Sequence, residues 1–317
     1  MQRNLERDSE RPALSIADQI LVNATMSFYR SIEAILSEST GRPFTIESRH
    51  SIGGGCISLA ERISGNGRAY FIKSNTPSFL DSFEAEFESL EALQSDGSVF
   101  APEPIVAGCV DDRSYLALEY VSIQNHSRAN WTRFGQQLAT LHRTQQPYYG
   151  WHRDNYIGAT PQRNPKSDVW LPFFQEHRLG FQVELAESKG FVPKGLSKLC
   201  EELPKLFQDY RPMPSLLHGD LWSGNVAFRE NGDPLVFDPC CYYGDRETDI
   251  AFTQFFGGFP SDFYDAYQQE FPLDSGYTRR KDLYNLYHCL NHFNLFGPPY
   301  NAQAQAMIDT TIESLRR

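Results

Sequence analysis

The sequence predicts an α+β fold of two lobes: a small antiparallel sheet with helices at the front, and a larger, mainly helical lobe behind it. Three observations carry this. Strand-like runs are concentrated between residues 44 and 121, a single helical run from Leu80 to Leu93 is inserted among them, and helical periodicity dominates from Trp131 to Leu315. With 317 residues the chain can build two cores. The boundary is expected in the stretch Val121 to Asn125, which gives an N-terminal lobe of residues 1–122 and a C-terminal lobe of residues 123–317.

The chain opens on a charged, polar stretch, Met1 to Arg11. From Ser15 the apolar residues Ile16, Ile20, Leu21, Ala24, Phe28, Ile32, Ile35 and Leu36 recur at helical spacing until Gly41-Arg42-Pro43 stops them. Phe44 to Ser48 and Cys56 to Ile63 read as strands on either side of Gly53-Gly54-Gly55, and Gly65-Asn66-Gly67 reads as a hairpin turn into Ala69 to Lys73. Phe83, Phe87, Leu90 and Leu93 mark a helix that also carries Glu84, Glu86 and Glu88. After Pro102 and Pro104 come two more strand-like runs, Ile105 to Val110 and Tyr115 to Val121. Helices are then expected around Trp131 to Leu141, Trp170 to Leu185, Leu196 to Tyr210, Ile250 to Phe256, Asp262 to Phe271, Lys281 to Phe296 and Ala302 to Leu315.

Composition narrows the partners. A formal charge of −11 and the absence of any extended Lys/Arg cluster argue against nucleic acid, which is normally met by a basic face. The apolar runs fall well short of the roughly 20 residues needed to cross a bilayer, and the first residues do not resemble a signal peptide. A cytoplasmic protein with no membrane partner is expected. The six cysteines, Cys56, Cys109, Cys200, Cys240, Cys241 and Cys289, form no CxxC pair and no zinc spacing, so reduced thiols are expected.

The chemistry concentrates in Leu216-Leu217-His218-Gly219-Asp220-Leu221-Trp222-Ser223-Gly224-Asn225, followed after a turn by Val236-Phe237-Asp238. Phosphoryl transfer from a nucleotide needs a carboxylate to orient the attacking hydroxyl, an amide oxygen for metal and a second carboxylate for the metal bridging the phosphates. Asp220, Asn225 and Asp238 supply these groups in that order. The glycines Gly53, Gly54 and Gly55 would let backbone amides approach phosphates, although no Walker A pattern follows them. Lys73, on the next strand, is placed to hold the phosphates. Glu86 is its expected ion-pair partner and Glu84 the competitor. His218 is expected to bond the backbone of the metal loop, and Asp249 to serve architecture at a helix start. Cys56, ending the glycine run, is a candidate reactive thiol or simply a small loop residue.

These residues give the chain its family likeness. It resembles the fructosamine kinase (ketosamine-3-kinase) family of the aminoglycoside-phosphotransferase-like, protein-kinase-like superfamily. The likeness rests on Gly53-Gly54-Gly55-Cys56-Ile57-Ser58, Phe83-Glu84-Ala85-Glu86, Asp154-Asn155-Tyr156-Ile157-Gly158, His218 to Asn225 with Trp222, and Asp238-Pro239 followed by Tyr242-Tyr243-Gly244-Asp245-Arg246-Glu247. It implies ATP and Mg2+ as cofactors, with Lys73 on the phosphates, Glu86 orienting Lys73 and Glu119, Tyr120 and Val121 lining the adenine hinge. It further implies Asp220 as catalytic base, and Asn225 and Asp238 as magnesium ligands. The implied reaction moves the γ-phosphate to the 3-hydroxyl of a ketosamine, free or on a glycated protein, with Trp222 as an aromatic wall for the acceptor. Cys240-Cys241 departs from the small apolar pair expected beside the metal site. A kinase of choline, homoserine or an aminoglycoside, and a nucleotide-binding pseudokinase scaffold, are the alternatives. Monomer and homodimer both remain open.

Overall fold

The computed structural model describes residues 16–53, 57–123 and 130–316. Helix α1 (Ile16–Thr40) comes first, as its apolar spacing predicts, and ends where Gly41 adopts the left-handed backbone. The sheet behind it contains β1 (Ser48–Ser51), β2 (Leu59–Gly65), β3 (Arg68–Asn75), β4 (Pro104–Val110) and β5 (Arg113–Glu119). Its order is β1-β2-β3-β5-β4, every neighbouring pair antiparallel. The β2–β3 hairpin closes with Gly65 opposite Arg68, and the two residues between, Asn66 and Gly67, have φ of 51° and 72°. Asn-Gly tolerates this left-handed pair and matches the strand twist, so the turn chemistry fixes the register.

One expected strand is displaced. Phe44 to Ile46 runs into the sheet without joining a ladder, because its amides find side-chain acceptors: Phe44 N–H bonds Ser37 Oγ, Thr45 N–H bonds Asn66 Oδ1 and Ile46 N–H bonds Glu33 Oε1, and contact with β2 starts only with Glu47 N–H on Ser64 O. The ladder begins at Ser48. Likewise β2 starts at Leu59, three residues after the predicted start at Cys56, and runs to Gly65.

Helix α2 (Leu80–Asp96) joins β3 to β4 and stops at Gly97, which has φ of 73°. The C-terminal lobe carries α3 (Trp131–Leu141), the short pair β6 (Asn155–Ile157) and β7 (Thr160–Gln162), α4 (Trp170–Phe174) and α5 (Phe181–Ser188), with one π-helical segment at Gln175–Gly180 between the last two. Then follow α6 (Leu196–Glu202), β8 (Ser215–Leu217), β9 (Val226–Phe228), β10 (Pro234–Val236), β11 (Tyr242–Gly244), α7 (Glu247–Thr253), α8 (Ser261–Glu270), α9 (Tyr277–Phe296) and α10 (Tyr300–Leu315). The helix expected over Leu196 to Tyr210 tightens to 3-10 geometry over Leu203–Phe207, where Pro204 cannot donate an α-helical bond.

Two apolar clusters hold the molecule. In the smaller, Phe28, Ile32 and Leu36 of α1 pack on Ile63, Tyr70, Ile72, Tyr115 and Ala117 of the sheet. The larger fills the C-terminal lobe and also takes in Phe83, Leu90 and Leu93 of α2 and Leu116 and Leu118 of β5. Each such side chain contributes about 1.5–3 kcal/mol on burial. Helix α2 is therefore anchored to the second lobe's core although it precedes that lobe in sequence. No helix among the described residues is long and apolar enough to cross a membrane.

Candidate active site

Strand alternation aims Lys73. On β3, Tyr70, Ile72 and Ser74 are buried, the first two against α1, so the intervening Lys73 projects from the opposite face, toward α2. On α2, Glu86 lies three residues after buried Phe83 and four before buried Leu90, hence on the inward face, whereas Glu84 is exposed. Lys73 Nζ sits 2.6 Å from Glu86 Oε1 and 2.7 Å from Asp238 Oδ1. Burial pulls the lysine's pKa down, but the Asp238 and Glu86 carboxylates outweigh it and the net shift is upward, so Lys73 stays an ammonium ion.

The loop after β8 supplies the rest. Strand β8 is fully buried and pairs with β11, so its end is a rigid platform. Gly219 has φ of 85°, and a Cβ there would stand 2.2 Å from Cys240 O, so only glycine fits. Asp249, at the start of α7, accepts the His218 amide at 2.8 Å and the Gly219 amide at 3.0 Å, and lies 3.2 Å from His142 Nε2. Its role is architectural, exercised on the loop across the fold rather than at its own helix end. His218 Nε2 donates to Phe237 O at 3.1 Å, while its Nδ1 receives the Asp220 amide at 3.3 Å. Burial lowers the pKa of His218, which favours the neutral ring these bonds require. The imidazole thus ties the loop backbone to the strand end that carries Asp238.

Asn225 closes a short 3-10 turn, Ser223–Asn225, and gives its amide nitrogen to Asp220 twice: to the backbone oxygen at 2.8 Å and to Oδ2 at 2.9 Å. With the nitrogen engaged, Oδ1 is the atom of the Asn225 amide left for a cation. Asp238 follows β10 at a φ of 56° and its side chain is 47% exposed, facing the cleft. Burial and then the Asp238 charge push the Asp220 carboxyl up to about 7, against the pull of the Asn225 amide. Among the described residues no three His, Cys, Asp or Glu side chains cluster as a complete metal cage. The donors available here, one carboxylate and one amide oxygen, fit Mg2+ that arrives with phosphate oxygens and water.

Beside the loop, the half-buried Trp222 ring lies 5.1 Å from Phe256, which in turn lies 5.1 Å from His292. Phe256 is 37% exposed, so this aromatic ledge is open to solvent. Glu119, Tyr120 and Val121 leave the end of β5 and run toward the second lobe, where Ile123 bridges to Arg229; Arg62 stacks over Tyr120 at 4.8 Å. Gly53 ends the described part of its loop, and Gly54, Gly55 and Cys56 lie outside the described residues, as does the end of the predicted linker, including Asn125. The structure brings Lys73, Glu86 and Asp238 into contact and sets Asp220 against Asn225, as the sequence reading expected them to share one region. That reading missed the Lys73–Asp238 pair, the Asp249 grip on the loop, and Phe256 with His292. A helix-period aromatic run gave no sign of which ring would face Trp222.

The fructosamine kinase family model matches residues 28–314. A probable ketoamine kinase of Synechocystis sp. is 43% identical over 281 residues, covering 88% of this chain and 95% of its own. The chloroplastic protein-ribulosamine 3-kinase of Arabidopsis thaliana is 37% identical over 320 residues, covering 97% of each. A crystal structure of a fructosamine-3-kinase candidate from Haemophilus somnus superposes with a TM-score of 0.85 at 30% identity, covering 90% of this chain and 99% of its own. Aminoglycoside phosphotransferase APH(4)-Ia, at 16% identity and a TM-score of 0.57, shares the fold. On a match that spans nearly the whole described chain, this protein belongs to the fructosamine kinase family.

Proposed function

We propose that the protein transfers the γ-phosphate of ATP to the 3-hydroxyl of a ketosamine, with Asp220 as the base, Lys73 on the nucleotide phosphates and Asn225 and Asp238 as the magnesium ligands. The observation that carries this reading is the convergence of Lys73, Glu86 and Asp238 within 2.7 Å contacts, beside the Asp220–Asn225 pair, in a chain of this family. Magnesium, when bound, would neutralise phosphate charge and align the transferred group.

The chain's own residues do the remainder. Lys73, held between two carboxylates, presents a fixed positive charge where phosphate oxygens gather. Asp220 Oδ2 is pinned by Asn225, which leaves Oδ1 to accept the hydrogen bond of the attacking hydroxyl. Its raised proton affinity suits a group that takes a proton near neutral pH as transfer completes. Glu119, Tyr120 and Val121 would line the adenine, and Gly53, Gly54 and Gly55 would cover the phosphates. Trp222 and Phe256 offer an aromatic face to the sugar and its protonated amine. The plant relative is named for ribulosamine on protein, and related substrates in free or protein-bound form are proposed here.

The test is ADP release by the purified protein with magnesium-ATP and a panel of fructosamines, ribulosamines, choline, homoserine and aminoglycosides. Turnover confined to the ketosamines is the expected result. Turnover with choline, homoserine or an aminoglycoside alone would move the acceptor assignment to another branch of the fold, and nucleotide binding without turnover on any of them would favour a scaffold.

A further inference from the structure

The segment from His152 to Ile157 touches both of the chain stretches that carry the carboxylates of Lys73, α2 with Glu86 and the stretch after β10 with Asp238. On one side it grips α2. Arg153 pairs with Glu88 through Nη1 at 2.8 Å and with Asp81 through Nη2, Tyr156 donates its hydroxyl to Asp81 at 2.7 Å, and His152 Nε2 meets Glu88 at 2.5 Å. Asp81 and Glu88 stand two helical turns apart on one face, so a single guanidinium clamps the stretch of helix that contains Glu86.

On the other side the same segment holds the chain just after Asp238. Asn155 is 2% exposed, and its Nδ2 donates to Cys241 O at 2.8 Å. Its Oδ1 accepts from Gln162 Nε2 at 2.8 Å and Asn164 Nδ2 at 2.9 Å, and Gln162 reaches Cys240 O at 3.3 Å. Arg178, fully buried on the π-helical segment, completes the set by donating to Asn164 Oδ1 at 2.6 Å. The two carbonyls so fixed belong to the residues that follow Asp238-Pro239. A direct tie closes the circuit, since the Cys241 amide donates to Ser89 Oγ on α2 at 3.2 Å.

We propose that His152 to Ile157 is a strap that sets the position of the Lys73 ammonium by fixing both of its carboxylate anchors, with Arg153 and Asn155 as the positioning residues. The proposal rests on the reading of Lys73 as the phosphate-binding lysine. A lysine has four rotatable methylenes and no preferred geometry of its own, so its charge sits where its acceptors sit. Glu86 depends on the register of α2 and Asp238 on the backbone that follows β10, and the strap bridges these two elements beside their direct contact at Ser89 and Cys241. Partly exposed ion pairs contribute little singly, but a guanidinium shared by two carboxylates on one helix face resists both sliding and rolling of that helix.

Four substitutions test it. Arg153→Met should raise the ATP KM roughly three- to tenfold while leaving the ketosamine KM and Tm near the parent's, with faster amide exchange over residues 80–89, and Arg153→Lys should recover part of the loss. Asn155→Ala, assayed well below its own Tm, should raise the magnesium concentration needed for half-activity. If Asn155→Ala does not fold, the Arg153 series decides. An unchanged ATP KM and unchanged exchange in α2 for Arg153→Met overturn the strap, as does a fall in Tm with no kinetic split. Lys73→Met separates the two ideas: if the parent binds magnesium-ATP and Lys73→Met binds it equally well, the reading of the lysine fails, and the role of the strap fails with it.

Discussion

At the scale of single residues, the site is built from groups held against their ordinary preferences. Asp220 shows this most clearly: burial and the Asp238 charge raise its pKa to about 7. A carboxyl whose folded pKa lies above its unfolded one destabilises the native state once ionised, fully so above the folded value. Asp220→Asn should therefore raise stability at pH 8, without nucleotide or magnesium, by about 1–2 kcal/mol after allowance for its partial exposure. The gain should fade as the pH falls toward 4, in urea titrations across that range. The same variant should keep magnesium-ATP binding and lose nearly all turnover. A variant that lost nucleotide binding instead would reassign Asp220 to the metal. Trp222→Ala should raise the ketosamine KM or lower kcat with ATP affinity and Tm close to the parent's, because its ring is half-buried on an open ledge and outside the buried core clusters. Equal losses of stability and nucleotide affinity would make it a packing residue. Lys73 and Glu86 were legible from their order, a lysine on the strand after a glycine-rich loop and then a Glu-bearing helix, while helix phase alone left Glu84 open until the fold showed it exposed. The sequence left Asp249 half-read, since the amides it accepts lie about thirty positions away and no local pattern records them.

At the scale of elements, α7 and α9 are joined by charge inside the core. Arg280 on α9, 2% exposed, takes both carboxylate oxygens of Glu247 on α7, at 2.7 Å and 2.9 Å. Burial, and then the nearby Asp245 charge, push Glu247 up to about 7, so its ionised form depends on that guanidinium. Arg280→Met should cost about 3–5 kcal/mol in urea denaturation, because it strands a buried carboxylate. A loss below 1 kcal/mol would mean that water already reaches the pair. Helix existence was legible from apolar spacing throughout. Helix ends were not, as Pro204 and the π-helical segment show: one removes a donor, the other adds a residue to a turn, and both leave the apolar count nearly intact.

At the scale of the molecule, the lobes divide in sequence but not in packing. Helix α2 belongs to the N-terminal lobe by order, yet Phe83, Leu90 and Leu93 sit in the core of the other lobe. Helix α2 also carries Glu86, so the proposed nucleotide site is expected to share the stability of that core. Magnesium-ATP at a hundred times its Kd should add about 2.7 kcal/mol and raise Tm in a single calorimetric transition, since a ligand of the native state stabilises all that unfolds with it. Two transitions, only one moved by nucleotide, would show lobes that melt separately. The lobed fold class was legible from where strands and helices fall along the chain. The shared core was not, because apolar spacing shows that a face is buried without showing against what.

Asp238 has one more consequence, for the tolerance of its position to change. Its φ of 56° lies where most side chains are disfavoured by about 1–2 kcal/mol, and where asparagine and glycine are the tolerated exceptions. In a saturation library at position 238, the well-folded survivors should be enriched in Asn and Gly over Ala, Val or Leu, irrespective of activity. Asp238→Asn is accordingly the substitution that isolates the carboxylate's charge from the shape of the chain beneath it.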